Sequence, residues 1–165
     1  IYIFNKNTKR DGILMRDILD KSLKDAMRAR DTQKISTIRL INAAIKDRDI
    51  AIRSEDNLEG VSDEEILSIL SKMIKQRKES ARQYEEGGRL ELAQQEFEEI
   101  EIIENFLPRQ LDLNEIEQIV KKIILEINAN SLRDMGKVMS LLKANYSGKM
   151  DFGKAGVVAK ELLSK

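Results

Sequence analysis

Residues 62–111 read SDEEILSILSKMIKQRKESARQYEEGGRLELAQQEFEEIEIIENFLPRQL, and this stretch decides the fold. It opens with Ser62, a capping hydroxyl followed by three acidic residues, which is typical of a helix start. Gly87 and Gly88 interrupt the helical pattern, because glycine adopts the left-handed conformation at a helix end without steric cost. Pro108, the only proline of the chain, ends the second run because proline supplies no amide hydrogen. The stretch therefore predicts two long antiparallel helices joined by a short turn.

Both helices of this hairpin carry an apolar stripe at the three-to-four-residue spacing of one helix face. The stripe predicted for the first helix consists of Ile66, Leu70, Met73, Ile74, Ala81 and Tyr84. The stripe predicted for the second helix consists of Leu90, Ala93, Phe97, Ile100 and Leu107, joined late by Ile102, Ile103 and Phe106. We expect both stripes to face the core.

Composition favours an all-helical protein and excludes several kinds of chemistry. Ala, Leu, Ile, Lys and Glu dominate the 165 residues, and aromatic side chains make up only 4%, so the core must be aliphatic. The chain has no cysteine and no histidine, which excludes disulfides, thiolate nucleophiles and histidine-based triads, and rules out a zinc site. The carboxylates clustered in the second hairpin helix have no glycine-rich phosphate cradle beside them. We therefore expect no metal, no cofactor and no intrinsic enzymatic activity.

The ends and the hydropathy of the chain set expectations about its location. No apolar run approaches the roughly 18 residues that a membrane-spanning helix needs. The opening IYIF is too short for the core of a signal peptide, so we expect a cytoplasmic protein without a membrane partner. Residues 1–14 show no helical period and no initial methionine, which favours a tag or an early start over a functional arm. Met15 is the better natural start.

Charge is distributed unevenly although the net charge is zero. Residues 13–53 hold ten Lys/Arg against six Asp/Glu, and residues 108–165 hold ten against seven. Residues 54–107 hold six against fifteen. An acidic hairpin thus separates two mildly basic segments, either of which permits an anionic partner.

Two shorter helices are predicted before the hairpin. The first runs to about Arg30, and its inward face consists of Ile18, Leu19, Leu23, Ala26 and Met27. Asp31 is placed to cap the second helix. The isoleucines of that helix keep near-heptad spacing at Ile35, Ile38, Ile41, Ile45 and Ile52. Residues 54–61 are polar and contain glycine, which predicts a loop.

A row of cations follows the opposite side of the second helix. Arg39, Lys46 and Arg53 repeat every seven residues and therefore lie in one line. The row is either a stripe that tracks phosphates or a solvated face that pairs with Asp49 and the acidic hairpin. We favour the solvated face, because charged helix faces usually contact only water and nearby carboxylates.

Residues 108–165 predict a three-helix module that follows an N-terminal helical domain of residues 15–107. Asp112 leads into the first helix of the module, and Ser131 and Asp151 are the expected caps of the next two. The expected inward residues are Ile116, Ile119, Val120, Ile123, Ile124, Ile127, Leu132, Met135, Val138, Met139, Leu142, Phe152, Ala155, Val158, Ala159, Leu162 and Leu163. The fold class is thus all-α, with an elongated N-terminal bundle that carries the long hairpin and a C-terminal three-helix module.

The last module contains the best candidates for a nucleic-acid-binding site. Its predicted phosphate-contacting residues are Arg133, Lys137, Lys143, Lys149 and Lys154. Gly136 lies inside a helical pattern, which a close helix crossing or a backbone approach to a ligand would explain. Gly148 is the second close-approach candidate, in the turn before Lys149. Aromatic residues hardly occur among these cations, so stacking on unpaired bases is not expected.

Several short stretches together resemble the GatB/YqeY family of small bacterial proteins. They are KQRKES (residues 75–80), FLPRQL (residues 106–111), STIRLINAA (residues 36–44) and MGKVM (residues 135–139), with isolated matches between them. The resemblance extends over about residues 15–165. In that family the last module is similar to the tail of the B subunit of the glutamine-dependent aspartyl/glutamyl-tRNA amidotransferase.

The resemblance implies contact with tRNA and two possible roles, and the acidic hairpin by itself suggests a third. The first is a non-catalytic tRNA-binding or amidotransferase-associated accessory protein, whose partners are tRNA and an amidotransferase or the aminoacyl-tRNA machinery. The second is a component of a carbon-nitrogen ligase with glutamine as the amide donor. The catalytic body of that enzyme has no counterpart in this chain, so such a label would come through the tail alone. The third is a protein-interaction scaffold that uses the acidic hairpin.

Overall fold

A computed structural model describes residues 14–53 and 59–164, which form seven α-helices without any β-strand. The helices are α1 (Met15–Ala29), α2 (Thr32–Ile52), α3 (Asp63–Glu86), α4 (Leu90–Glu104), α5 (Leu113–Glu126), α6 (Met135–Tyr146) and α7 (Phe152–Leu163). A short 3₁₀ helix, Leu132–Asp134, precedes α6. The predicted all-α fold class is confirmed.

The chain divides into two compact units, the first ending at Pro108 and the second beginning at Arg109. The first unit contains α1 to α4, and the second contains α5 to α7. The predictions of a tag or early start before Met15 and of a loop at 54–61 fall largely outside the described residues.

The hairpin of α3 and α4 begins and turns where the sequence predicts. The Ser62 hydroxyl accepts a hydrogen bond from the Glu65 amide at 3.3 Å, and the Ser62 amide donates to the Glu65 carboxylate at 3.3 Å. Gly88 adopts the left-handed conformation with φ of 68°, whereas Gly87 does not. A single left-handed glycine therefore suffices to reverse the chain.

The end of α4 differs from the prediction. The helix ends at Glu104, four residues before Pro108. The Phe106 amide donates to the Ile103 carbonyl at 3.0 Å, and the Leu107 amide donates to the Glu104 carbonyl at 3.1 Å. The residue before a proline avoids the helical conformation, so the chain leaves the helix early in tighter turns. These turns bury Phe106 and Leu107 in the core.

The core of the first unit is aliphatic, as expected, and draws on all four helices. Its fully buried members include Met15, Leu19, Ile38, Ile41, Ile66, Leu70 and Ile103. Three residues predicted to face inward are instead exposed: Met27 (51%), Leu90 (68%) and Phe97 (42%). The inward stripe of α4 contains Glu96 rather than Phe97. A charged residue is not expected on a buried face, so the sequence pattern assigned Phe97 to it instead.

The partial burial of Glu96 has an electrostatic consequence in the hairpin. Burial raises the pKa of Glu96 above its ordinary value, and the negative charge of Glu99 raises it further. Arg77 of α3 donates to the Glu99 carboxylate at 2.8 Å, and only 14% of the Arg77 side chain is exposed. This ion pair links the two helices of the hairpin next to the half-buried carboxyl.

In the second unit α5 and α7 begin at the predicted caps, whereas α6 begins at Met135 and the predicted cap Ser131 instead precedes the 3₁₀ helix. The Asp112 carboxylate accepts from the Glu115 amide at 2.8 Å, and the Asp151 carboxylate accepts from the Gly153 amide at 2.8 Å. The core consists of Ile116, Val120, Ile123, Val138, Leu142, Met150, Ala155, Ala159 and Leu163. Leu132, predicted to face inward, is 48% exposed because it lies in the 3₁₀ turn, whose period differs from that of α6.

A half-buried ion pair connects α1, α2 and the residues that lead into α3. Arg16 binds Asp49 with two hydrogen bonds, of 3.0 and 2.8 Å. The Asp49 carboxylate also accepts from the Val61 amide at 2.8 Å. Gly60 has φ of 84°, and a Cβ atom there would lie 2.5 Å from the Asp49 carboxylate oxygen. Only glycine therefore fits between the ion pair and the backbone at this position.

Gly60→Ala should lower the free energy of unfolding by at least about 2 kcal/mol, because it combines a left-handed backbone with a clash against Asp49. Gly88→Ala is the matched control, since Gly88 has φ of 68° but no atom within 4 Å of a new Cβ. It should cost only about 1 kcal/mol. Urea unfolding at constant m-value measures both changes. Equal costs would contradict the steric role of Asp49.

Asp49→Asn should lower the free energy of unfolding by about 1–2 kcal/mol at neutral pH. Hydrogen bonds from Arg16 hold the pKa of the Asp49 carboxyl below its ordinary value. The stabilisation is therefore complete above the unfolded pKa of about 4 and is lost as the pH falls through the folded pKa. Urea titrations of both proteins should show their difference shrinking below pH 4. A difference that is the same at pH 3 and pH 7 would refute the ion-pair origin.

Candidate nucleic-acid interface

Arg133 is presented by a turn that a single carboxylate holds in place. Asp134 accepts hydrogen bonds from the Asn130 amide at 3.1 Å and from the Ser131 amide at 3.3 Å. The Asn130 bond is the largest cause that holds the pKa of Asp134 below its ordinary value, and the positive charge of Lys137 acts in the same direction. The 3₁₀ turn thereby projects Arg133 as an exposed side chain at the start of α6.

A shallow depression of about 590 Å³ joins three of the predicted site residues. Its lining consists of Ile127, Arg133, Gly136, Lys137, Ser140 and Leu141. It therefore combines two cations, one hydroxyl group and an uncovered stretch of helix backbone. Ser140 and Leu141 were not predicted, although Ser140 follows Gly136 by four residues and helical spacing would have indicated it.

Gly136 is not explained by a close helix crossing, one of the two reasons offered from the sequence. Apart from its chain neighbours and the adjacent backbone of its own helix, no described atom lies within 4 Å of the position that a Cβ would take, and the residue is exposed. The helix crossing is therefore wrong. The backbone approach to a ligand stays a prediction, since the open face lies within the depression.

Gly148 has a conformational reason of its own. Its φ is 71°, which favours glycine, and its carbonyl accepts from the Gln110 side chain at 2.6 Å. The Lys149 carbonyl accepts from the Leu111 amide at 2.8 Å. The turn is thus bound to the beginning of the second unit, and Gly148 is buried in it.

The remaining cations lie at different distances from the depression. Lys143 is exposed and follows Ser140 by three residues, which makes the two neighbours on the surface of α6. Lys149 is half-buried in the turn, and Lys154 is exposed in the first turn of α7. Neither lines the depression. The structure therefore brings together Arg133, Gly136 and Lys137, and adds Lys143 at their edge.

Positive charge on this side of the second unit is left without ion pairs. The ion pairs found in the described part of the unit are Arg109–Glu115 (2.6 Å), Lys121–Glu117 (2.5 Å) and Lys122–Glu126 (3.8 Å). None of the five predicted cations has a carboxylate within 4.0 Å among the described residues. The Asp134 carboxylate accepts from the Asn130 and Ser131 amides and interacts with Lys137 only through its charge, and Asp151 caps α7. The positive electrostatic potential around these cations therefore favours an anionic partner.

Residues 14–53 and 59–164 contain neither a cluster of metal ligands nor a helix that could span a membrane. No group of three or more carboxylates is arranged so that it could hold a metal ion. None of the helices is both long enough and apolar enough to cross a bilayer.

Comparison with protein families identifies the chain. The family described as Yqey-like protein matches residues 16–163, nearly the whole described length. The chain belongs to the YqeY-like family. The family match confirms the YqeY part of the resemblance seen in the sequence, and it gives no support for the similarity to the amidotransferase tail.

Curated relatives of this YqeY-like chain include yeast proteins that share one name, Altered inheritance of mitochondria protein 41, mitochondrial. The relative from Lachancea thermotolerans is 36% identical over 89 residues, which cover 54% of this chain and 46% of the relative. The relative from Clavispora lusitaniae is 35% identical, covering 68% and 64%. The relative from Vanderwaltozyma polyspora is 30% identical, covering 79% of each. The chain thus spans about half to two thirds of the first two relatives.

The relatives contradict the cytoplasmic location predicted from the sequence. Their names place them in mitochondria. The prediction was wrong because it rested on the lack of a long apolar segment, and mitochondrial transit peptides are amphipathic and arginine-rich rather than apolar. Hydropathy therefore does not distinguish the two compartments.

Gly136→Ala should raise the free energy of unfolding by about 0.5–1 kcal/mol, because alanine is the better helix former and the new methyl group meets no neighbour. Urea unfolding measures the change. Gly148→Ala is the contrasting control, and it should destabilise the protein because φ is 71° there. Destabilisation by Gly136→Ala would show that the helix is crowded at this point.

Proposed function

We propose that this YqeY-like protein is a non-catalytic tRNA-binding accessory protein that serves a tRNA amidotransferase or the aminoacyl-tRNA machinery. One observation carries the proposal: the cations around Arg133 and Lys137 are exposed, grouped and without carboxylate partners in the described part of the chain. Phosphate groups are the anions that such a surface attracts without sequence preference.

The shape of the site suits a phosphate backbone better than a small substrate. The depression is shallow and open, whereas small-molecule sites enclose most of their ligand. Gly136 leaves the helix backbone uncovered between Arg133 and Lys137, so a sugar-phosphate chain can approach without displacing a side chain. Lys143 extends the positive surface along α6. Together these residues form a strip rather than a pocket.

Resemblance supports the choice of tRNA among possible nucleic acids. Gly136, Lys137, Val138 and Met139 resemble the corresponding helix of the amidotransferase B-subunit tail, and Gly148 with Lys149 resembles its Gly-Lys turn. The chain lacks cysteine and histidine, so glutamine hydrolysis by the usual nucleophiles would have to occur on a partner. The proposed role is therefore to hold tRNA for another enzyme rather than to catalyse ligation.

Arg133→Glu with Lys137→Glu should weaken tRNA binding by at least about tenfold at low salt, because the variant places two repelling charges at the strip. The slope of log affinity against log salt should also flatten by about 2, one for each lost phosphate contact. Electrophoretic shifts of labelled tRNA over a salt series measure both quantities. Lys143→Glu and Lys149→Glu, added to the pair, should weaken binding further.

Lys121→Glu with Lys122→Glu is the matched control, since it changes the charge of the same unit equally. These lysines already pair with Glu117 and Glu126 on α5, so the control should bind tRNA nearly as well as the unaltered protein. Equal losses of tRNA affinity in both variants would show that binding depends on the overall charge of the unit and not on this site. No retention of tRNA by the unaltered protein at low salt would refute the proposal.

A further inference from the structure

Helix α2 carries apolar residues on two opposite faces, and only one of them is covered. Ile38, Ile41 and Ile45 are buried in the core of the first unit. On the other side, Leu40 is 45% exposed and Ile50 is 61% exposed, with Ala43 also exposed between them. A helix that is apolar on both faces normally packs on both.

The N-terminal half of this outer face widens into a groove of about 630 Å³. Exposed Met27 of α1 and Ile35 and Leu40 of α2 supply its apolar lining, and Thr32 and Ser36 of α2 also line it. Arg30 and Arg39 also line the groove. An apolar site with charged edges is the usual form of an anchor site for a leucine or aromatic side chain at an interface.

A row of cations without an ion pair to any described residue runs beside the outer face. Arg39, Lys46 and Arg53 are all exposed and lie seven residues apart. No carboxylate lies within 4.0 Å of any of them in the part of the chain that the structure describes. Asp49, the partner expected from the sequence, is bound by Arg16 at 2.8 Å instead. That pairing was therefore wrong, and the row is available to an outside partner.

We propose that the outer face of α2 is a docking site for an acidic amphipathic helix of a partner protein. Apolar residues of the partner, spaced at i, i+3 and i+10, cover Leu40, Ala43 and Ile50, and one of them enters the groove beside Met27. Carboxylates at heptad spacing on the flank of the partner face the row of cations. Asp47 lies in the apolar stripe and requires a polar or basic residue opposite, which fixes the register.

The chemistry of the face favours a protein helix over the other occupants. A nucleic-acid backbone would satisfy the cations but would leave Leu40 and Ile50 in water. A second copy paired through α2 in antiparallel orientation would set each cation row against its counterpart, because identical flanks meet in such a pair. An acidic helix satisfies both the stripe and the row. The site lies in the first unit and does not depend on the proposed tRNA strip.

Binding of two designed peptides to the full chain tests the proposal. Each peptide has 21 residues, with leucine at the a and d positions of three heptads except for one asparagine at the central a position, which can face Asp47, and glutamate or lysine at all e and g positions. Repulsion between like flanks keeps each peptide monomeric. Fluorescence anisotropy of the labelled peptides should show at least about tenfold tighter binding of the glutamate peptide, since three close charge pairs form.

Two variants and one control separate the contributions of the face. Leu40→Glu should weaken binding of the glutamate peptide by at least about tenfold, as expected for an interface anchor. Leu125→Glu is the matched control, because Leu125 is an exposed leucine of the second unit, and binding should be unchanged. The triple variant Arg39→Glu, Lys46→Glu and Arg53→Glu should reverse the preference in favour of the lysine peptide. Circular dichroism of each variant should match the unaltered protein.

Several results would overturn this proposal. They are equal binding of the two peptides, binding that Leu40→Glu does not weaken, and no binding of either peptide at 100 times the protein concentration. A dimer seen by sedimentation equilibrium that Leu40→Glu dissociates would assign the face to self-association. Loss of tRNA retention in the triple variant without any change in peptide preference would assign the row to nucleic acid.

Discussion

The first unit depends on the burial of aliphatic side chains between the α3–α4 hairpin and the pair α1–α2. Ile66 and Leu70 of α3, Ile103 of α4, and Ile38 and Ile41 of α2 are almost completely removed from water. Each such side chain contributes about 1.5–3 kcal/mol by its transfer from water. With only 4% aromatic residues and no disulfide, the chain has no other large source of stability. The long hairpin supplies much of this surface and thereby sets the positions of the other helices.

Because the core is aliphatic, the charged side chains lie at or near the surface. Their ion pairs are arranged differently in the two units. In the first unit, carboxylates connect separate elements, as Asp49 connects α1 to α2 and Glu99 connects α4 to α3. In the second unit, the ion pairs of the described residues lie on α5 or just before it. Among the cations that remain, two groups border distinct surfaces. One borders exposed apolar residues on α2, and the other borders open helix backbone on α6.

Local features of the fold could be predicted from the sequence, and long-range features could not. The caps at Ser62, Asp112 and Asp151 depend on residues two or three positions away, so the sequence contains all the information needed. The Arg16–Asp49 pair joins residues 33 positions apart, and no spacing rule indicates it. The exposure of Phe97 was not predicted, because Glu96 takes the inward position and tertiary packing there overrides the apolar pattern. At the candidate site, exposure of Arg133 and Lys137 followed from periodicity, but their lack of partners required coordinates.

The hydrogen bonds from Gln110 and Leu111 to the Gly148–Lys149 turn have a consequence for synthesis of the protein on the ribosome. The donors are made first, and their acceptors follow about 38 residues later. Gln110 and Leu111 can therefore form these bonds only after the Gly148–Lys149 turn has emerged from the exit tunnel. The hairpin of the first unit needs no later residue for its own pairing, since α3 and α4 are consecutive. Vectorial folding therefore proceeds in two steps, with an aliphatic bundle completed while the basic module is still being translated.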